Sequence, residues 1–201
     1  MRTRTAATIL ALTAAAAVAG GATAVSAAQG GGHKAAAVKG AADFSLPFHP
    51  DQDIRHFEFD AKAAPYSRPF EGAPQGLPTD AKGTVKISHY VAGQKFTLRA
   101  EGTVDCLVTS PGNAVLSAKI TRADEVVKDW VGKRLGFSVQ DGAKGRDRVG
   151  LSWTVVNLDQ DEKGKWGEAK AGTCMAPAAF APVTKGGYTV RHAELPPPPK
   201  K

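Results

Sequence analysis

Apolar and polar residues alternate along much of the chain after residue 53, and this period of two predicts β-strands. Between Lys82 and Val91, for example, Val85, Ile87 and His89 fall on one face together with Val91, and polar side chains fill the other face. The segment is therefore predicted to be a strand with one buried face.

Six further segments show the same alternation. Their expected inward residues are Phe57 and Phe59 between Ile54 and Ala61; Phe96, Leu98, Ala100, Gly102, Val104, Cys106 and Val108; Ala114, Leu116, Ala118 and Ile120; Leu135, Phe137 and Val139; Val149, Leu151, Trp153 and Val155; and Tyr188 and Val190 between Gly187 and Ala193. The second alternation is longer than an ordinary strand, so we expect a bend at Gly102. Helical periodicity is confined to Asp124–Trp130, which could form one turn.

Short turn signals separate several of these segments. Ala92-Gly93, Ser110-Pro-Gly-Asn113 and Asp141-Gly142 each leave room only for a tight connection, which is typical of antiparallel neighbours. An all-β domain of seven or eight strands must close on itself or stack in two layers. We expect a single antiparallel β-barrel, with a β-sandwich as the alternative, because small inward residues such as Ala100 and Ala118 favour tight curvature.

The two ends of the chain have different compositions from its centre. Residues 1–28 combine a basic start, an Ala-rich apolar run and small residues before a cut after Ala27 or Ala28, as in a secretory signal peptide. Residues 29–50 are predicted to be a flexible segment, residues 51–195 the β domain, and residues 196–201 a Pro/Lys tail. The expected location is secreted, with membrane contact only during export.

Charge gives a weak indication of partners. Removing Arg2 and Arg4 with the signal would lower the formal net charge from +7 to +5. A mild positive balance is compatible with an anionic cell-envelope polymer. Because no run of five basic residues occurs, nucleic-acid binding is not expected.

The chain has two cysteines, Cys106 and Cys174. In an exported protein such a pair is expected to form a disulfide, and the C-x-x-C spacing of a redox pair is absent. The bond would hold down the irregular stretch 157–185 and stabilise the fold by about 4 kcal/mol in the loop-entropy treatment.

Motif searches predict no catalytic centre, no metal site and no cofactor. Gly150-Leu-Ser-Trp-Thr154 lacks the second glycine of a nucleophile elbow. The stretch from Asp159 onward begins like a calcium loop but places Lys163 and Lys170 where oxygen ligands are needed. A solvated turn is the expected structure there.

Three weaker candidates remain. An acidic cluster contains His49, Asp51, Asp53, His56, Glu58 and Asp60. His56, Glu58 and Asp60 would share one strand face with Ile54 and could act as acid and base. His89 lies on an apolar face and either finds a hydrogen-bond partner there or lines a ligand cavity. Trp166, in a loop, could stack on a flat ligand.

Several segments together resemble a known group of proteins. They are Phe57-Glu-Phe-Asp-Ala61, Ala81-Lys-Gly-Thr-Val85, Gly102-Thr-Val-Asp-Cys-Leu-Val-Thr109, Gly136-Phe-Ser-Val139, Arg146-Asp-Arg-Val-Gly-Leu-Ser-Trp153 and Cys174-Met-Ala-Pro. The set resembles small secreted bacterial proteins of unknown function, some of them labelled repetin. The resemblance implies a secreted β domain with one disulfide, and it carries no activity, substrate or catalytic residue.

The expected function is that of a secreted, non-enzymatic β domain that binds a cell-surface polymer or a small ligand. One alternative is an extracellular enzyme that uses the His56, Glu58 and Asp60 face or His89. Another is a protein-interaction or inhibitor module built around Trp166. A hollow interior with His89 on its wall would favour a small-molecule binder over the other functions.

Overall fold

The computed structural model of the protein describes residues 34–152, 158–168 and 174–200. These residues form ten strands and two short 3-10 helices, Glu125–Trp130 and Ala143–Gly145. The strands are β1 (Ala37–Phe44), β2 (Ile54–Ala63), β3 (Ala81–Val91), β4 (Phe96–Ser110), β5 (Asn113–Ala123), β6 (Arg134–Gln140), β7 (Arg148–Leu151), β8 (Leu158–Gln160), β9 (Trp166–Glu168) and β10 (Ala181–Arg191).

Eight of the strands close into one antiparallel barrel in the order β1-β10-β7-β6-β5-β4-β3-β2, while β8 and β9 form a separate hairpin. The predicted all-β barrel is therefore confirmed, and the sandwich alternative is wrong. Within the described residues, no helix is long and apolar enough to cross a membrane. The proposed signal segment with Ala27 and Ala28, and the predicted strand residues Trp153 and Val155, lie outside the described residues.

Because successive strands run in opposite directions, their connections fall at two ends of the barrel. The connections β1–β2, β3–β4, β5–β6 and β7–β10 share one end, which we call the mouth. The connections β2–β3, β4–β5 and β6–β7 share the other end, which we call the base.

The prediction of a flexible segment over residues 29–50 is wrong where the structure describes it, since β1 is a full member of the barrel. Residues Val38, Ala42 and Phe44 of this strand are buried in the core. The backbones of neighbouring strands approach closely at β1, so this strand needs small residues. Small residues make the alternation of apolar and polar side chains hard to recognise in the sequence. A Cβ at Gly40 would lie 2.2 Å from the carbonyl oxygen of Gly187 on β10. A composition that resembles a linker is thus required by the packing of strand against strand.

Aromatic rings fill the centre of the barrel. The ring of Phe137 lies 5.3 Å from Phe57 and 5.5 Å from Phe59, and Phe59 in turn lies 5.3 Å from Tyr188. Burying each such ring contributes roughly 1.5–3 kcal/mol. The inward positions predicted on β2, β3, β5 and β6 are confirmed for Phe57, Phe59, Val85, Ile87, Ala114, Leu116, Ala118, Ile120, Leu135, Phe137 and Val139.

The long strand β4 departs from the predicted alternation. Its pairing with β5 shifts between Glu101 and Gly102, where a bend was expected, and again between Val104 and Cys106. The second irregularity is a bulge at Asp105, after which Leu107 joins the core. The sequence-based placement of Cys106 on the inner face is therefore wrong, because the extra residue turns it to the outside of the barrel.

The outward position of Cys106 explains the disulfide. Cys106 is bonded to Cys174, with their Cα atoms 5.3 Å apart, as the sequence predicted. The bond holds residues 174–180, which we call the covering segment, against the outside of β6 and β7. The hydroxyl of Ser138 donates to the carbonyl of Pro177 at 2.6 Å, and Arg148 Nε donates to the carbonyl of Ala179 at 3.0 Å. As a result, six of the seven residues of β6 are buried.

The barrel has one short seam, because β7 and β10 share only two residue pairs. Beyond them, carboxylates replace backbone carbonyls as acceptors. Asp147 accepts the backbone N–H groups of Tyr188 at 2.7 Å and Gly142 at 2.9 Å, and Asp141 accepts that of Val190 at 2.9 Å. Two acidic side chains thus complete the closure of the sheet.

The Pro/Lys tail was expected to be solvated. Residues 196–200 have no regular secondary structure, but the tail is fixed at its beginning because the Tyr66 hydroxyl donates to the carbonyl of Pro196 at 2.9 Å.

Candidate functional site

A cavity of about 190 Å³ lies inside the mouth of the barrel. The side chains and backbone around it come from the mouth-side ends of β1, β2, β3, β4, β6 and β7 and from the 3-10 helix between β5 and β6. The lining residues are Phe44, Arg55, Phe57, Ile87, Ser88, His89, Leu98, Trp130, Leu135, Gly136, Phe137, Leu151 and Ser152. Most of this surface is apolar, and Arg55 and His89 are its two basic side chains.

Arg55 and His89 face each other across β2 and β3 as direct register partners. Both follow the inward alternation of their strands, Arg55 with Phe57 and His89 with Ile87. Two polar groups are thus placed at the edge of an otherwise apolar interior, where each needs a partner.

Asp53 supplies the partner of His89. Its Oδ2 lies 2.6 Å from His89 Nε2, and its Oδ1 accepts the backbone N–H of Ala92 at 2.9 Å. These two contacts, with the Ala92 amide as the larger cause, lower the pKa of the Asp53 carboxyl from its usual value. Asp53 therefore stays ionised and fixes the imidazole against the turn between β3 and β4.

Asp51 supplies the partner of Arg55. Arg55 Nη1 donates to Asp51 Oδ1 at 2.9 Å and Nη2 donates to Asp51 Oδ2 at 2.5 Å. This two-pronged contact lowers the pKa of Asp51 to about 2 and raises the pKa of Arg55. Arg55 Nη2 also lies 3.5 Å from Asp53 Oδ2, so one guanidinium contacts two carboxylates.

The remaining nitrogen of Arg55 is not satisfied. Arg55 is only 7% exposed, and its Nε is the one buried side-chain nitrogen or oxygen atom in the described part of the chain without a hydrogen-bond partner. An N–H group in this state costs about 1–3 kcal/mol relative to one that is paired. We define Asp51, Asp53, Arg55 and His89 as the polar cluster of the mouth.

Exposed apolar side chains occur in the short connections at the same end of the barrel. Among the described residues, the large exposed apolar side chains in the β1–β2 and β5–β6 connections, or at the first residue of β2, are Phe48, Ile54, Val126 and Val131. Phe48, 65% exposed, lies against Phe180, with ring centroids 5.7 Å apart. The mouth thus combines an apolar interior with apolar connecting segments.

The predicted acidic face on β2 is present, but its members do not act together. His56 Nδ1 lies 2.6 Å from Asp43 Oδ1, Glu58 accepts from Lys86 at 2.9 Å, and Asp60 lies 3.3 Å from Lys39. Each side chain pairs with a neighbouring strand, as on an ordinary charged outer surface. Within the described residues there is no group of three or more His, Cys, Asp or Glu side chains that could hold a metal ion.

The calcium-like stretch forms the turn of the β8–β9 hairpin. Asp161 Oδ1 accepts the backbone N–H groups of Lys163 at 2.9 Å and Lys165 at 2.8 Å. The carboxylate therefore organises the turn, as the sequence suggested. Trp166 follows on β9 with 63% exposure, and the contacts of the described residues give it no ring partner.

Sequence reasoning identified His89 but missed Arg55. The alternation of β2 indicates that Arg55 faces inward, because Arg55 continues the two-residue spacing of the inward residues Phe57 and Phe59. In the sequence Arg55 lies among acidic residues that suggest an acid and base site, whereas in the structure Asp51 holds Arg55 and Asp53 holds His89.

Comparison of the chain with protein-family models, with curated proteins and with solved structures gave no match. Any functional conclusion therefore rests on the barrel and its mouth alone.

Proposed function

We propose that the protein is an exported, non-enzymatic barrel that binds a small, largely apolar molecule in its mouth. The cavity of about 190 Å³ carries this proposal. A dry apolar cavity of roughly 150 Å³ is enough to bind benzene. The mouth is therefore large enough for a molecule the size of a single substituted ring.

The lining supports a binding role rather than catalysis. The hydrogen bond of His89 goes to Asp53, and the hydroxyl of Ser152 accepts the backbone N–H of Gly136 at 2.8 Å. The hydrogen bond of Ser152 is therefore with Gly136 and not with His89, whereas nucleophilic catalysis requires a hydroxyl that is joined to its base. The polar cluster suits the orientation of a bound molecule.

The outer surface offers less support for binding a charged polymer. Glu58, Lys86, Glu101 and Arg122 form one row across β2 to β5 in which the sign of the charge alternates. Within this row Lys86 contacts Glu58, and Arg122 contacts Glu101. This row therefore has no net charge with which to attract a polyanion.

Ethylbenzene is a suitable first probe, because it is apolar and matches the size of the cavity. Ligand-detected NMR should show saturable binding to the purified protein. Leu98→Trp, which places a larger side chain in the lining, should abolish binding. Leu195→Trp, at the exposed C-terminal segment, is the matched control and should bind like the unmodified protein.

Thermal melting of both variants establishes that the barrel is folded. The proposal is overturned if neither ethylbenzene nor acetophenone, its analogue with a carbonyl oxygen, binds saturably to the unmodified protein, or if folded Leu98→Trp binds either compound equally well.

A further inference from the structure

The polar cluster of the mouth selects among small apolar molecules, and we infer that the bound molecule carries a neutral hydrogen-bond acceptor, such as a ketone or aldehyde oxygen, which is received by Nε of Arg55. This inference rests on the proposed function and assigns the chemical class of its ligand.

The hydrogen-bond donor is the Nε–H group of Arg55. Arg55 is more than nine-tenths buried, it lines the cavity, and its Nε has no partner among the described residues. A guanidinium cannot lose its charge to relieve this situation, since its pKa is too high. An oxygen acceptor from a ligand in the cavity would satisfy the group.

The charge of the cluster decides which acceptor is favoured. The other two nitrogens of Arg55 already contact Asp51, and Nη2 is near Asp53. With His89 counted as neutral, the one guanidinium and the two carboxylates of the polar cluster give a formal charge of −1. A carboxylate ligand would bring a third negative charge into a partly buried site, and the repulsion between like charges disfavours it.

A cationic ligand is disfavoured for a different reason. Both carboxylates are already used as acceptors, Asp51 by Arg55 and Asp53 by His89 and the Ala92 amide. An ammonium group would also lie beside the guanidinium and lose its hydration in an apolar cavity. A neutral oxygen on an apolar body satisfies the free N–H without adding charge.

Four probes of similar size separate these possibilities: ethylbenzene, acetophenone, benzoate and benzylamine. Acetophenone differs from ethylbenzene essentially by its carbonyl oxygen. We expect acetophenone to bind the unmodified protein roughly tenfold more tightly than ethylbenzene, as one hydrogen bond from a charged donor allows. Benzoate and benzylamine should bind at least tenfold more weakly than acetophenone.

Arg55→Lys tests the donor directly. Lysine keeps a positive charge beside Asp51 but has no Nε–H of this geometry. The variant should lose the preference between the two probes and bind acetophenone no better than ethylbenzene. Arg122→Lys, an exposed arginine on the outer surface that pairs with Glu101, is the matched control and should keep the tenfold preference.

The Nε–Hε resonance of Arg55, assigned by its loss in Arg55→Lys, gives a second measurement. It should shift on addition of acetophenone and move less with ethylbenzene. If both compounds bind equally well to the unmodified protein, or if benzoate binds most tightly, the inference about the acceptor is wrong although the cavity binds ligands. If none of the four binds, the proposed function fails, and the inference fails with it.

Discussion

Gly136 on β6 lies directly beneath Met175 of the covering segment, so close that a Cβ at position 136 would be 1.8 Å from the Met175 carbonyl oxygen. Gly136→Ala should therefore push the covering segment away from the barrel. Because the obstacle is backbone, we expect a loss of about 1–3 kcal/mol in the free energy of unfolding, measured by denaturant titration. Gly93→Ala, at a turn with open space around the glycine, is the control and should change stability by less than about 0.5 kcal/mol.

Equal stabilities for the two alanine variants would show that the covering segment adjusts without cost. That result would contradict the close packing described for β6.

The disulfide should stabilise the protein through the loop it closes. Cys106 and Cys174 are 68 residues apart, and replacing both with alanine should lower the free energy of unfolding by about 4 kcal/mol. The barrel hydrogen bonds do not depend on this bond, so the far-ultraviolet circular dichroism of the folded variant should be retained. Amide exchange at residues 174–180 should rise more than exchange in β2 and β3. Uniform exchange throughout the chain would argue against a local role for the bond.

Acid should weaken the polar cluster of the mouth. The contact with Arg55 lowers the pKa of Asp51 to about 2 from the ordinary 3.8, so the unfolded chain binds a proton at a higher pH than the folded protein. The stabilisation from Asp51 is therefore present above about pH 4 and is lost as the pH falls towards 2. Asp51→Asn should reduce the slope of stability against pH in this window, measured by urea unfolding. An unchanged slope would show that the contact does not hold the carboxylate in solution.

Alkali should act through Tyr188. Burial, with a smaller contribution from Asp147, raises the pKa of this phenol above its usual 10.0. Above about pH 10 the unfolded chain loses the phenol proton while the folded protein keeps it. The stabilisation contributed by the neutral phenol is therefore fully present below about pH 10 and is lost as the pH rises further. Tyr188→Phe should remove this component. It should also lose about 1 kcal/mol at neutral pH, because the hydroxyl donates to the carbonyl of Phe57 at 3.2 Å.

The measurement is the free energy of unfolding of both proteins at about pH 8 and pH 11. Parallel losses in the two proteins would exclude Tyr188 as the source of alkaline sensitivity.

The acidic seam gives a further prediction. Asp147→Ala removes the acceptor of the Tyr188 and Gly142 amides and should cost about 1–3 kcal/mol. Amide exchange at Tyr188 should accelerate selectively, while exchange on the far side of the barrel, for example at Ile87, should follow only the global change in stability. Asp161→Ala, in the exposed β8–β9 turn, is a control for the loss of a carboxylate. Comparable effects of the two substitutions would contradict a special role for the seam.

Much of the barrel could be predicted because alternation reports directly on which face of a strand is buried. The core residues of β2, β3, β5 and β6 are predicted in this way. Strand β1 could not be predicted in this way, because Gly40 and its alanine neighbours bury little apolar area. These small residues instead allow the backbones of neighbouring strands to approach closely. Such a requirement is visible only once the neighbouring strand is known.

The bulge at Asp105 was missed for a related reason. Two consecutive outward residues break the period of two, and the apolar character of Cys106 and Val108 made an unbroken alternation equally plausible. At the mouth, His89 could be recognised as a polar residue on an apolar face. Its pairing with Asp53, 36 positions away, depends on how the β1–β2 connection folds back over β3, which no local pattern records.

The pairing of β1 with β10 also has a topological consequence. Ala37 and Arg191 are register partners, so the two ends of the barrel chain meet on neighbouring strands. The same barrel is therefore compatible with a chain whose strands are connected in a different order. A circularly permuted chain, joined across this pair by a short linker and opened at the tight turn around Pro111 and Gly112, contains every strand-to-strand contact of the original.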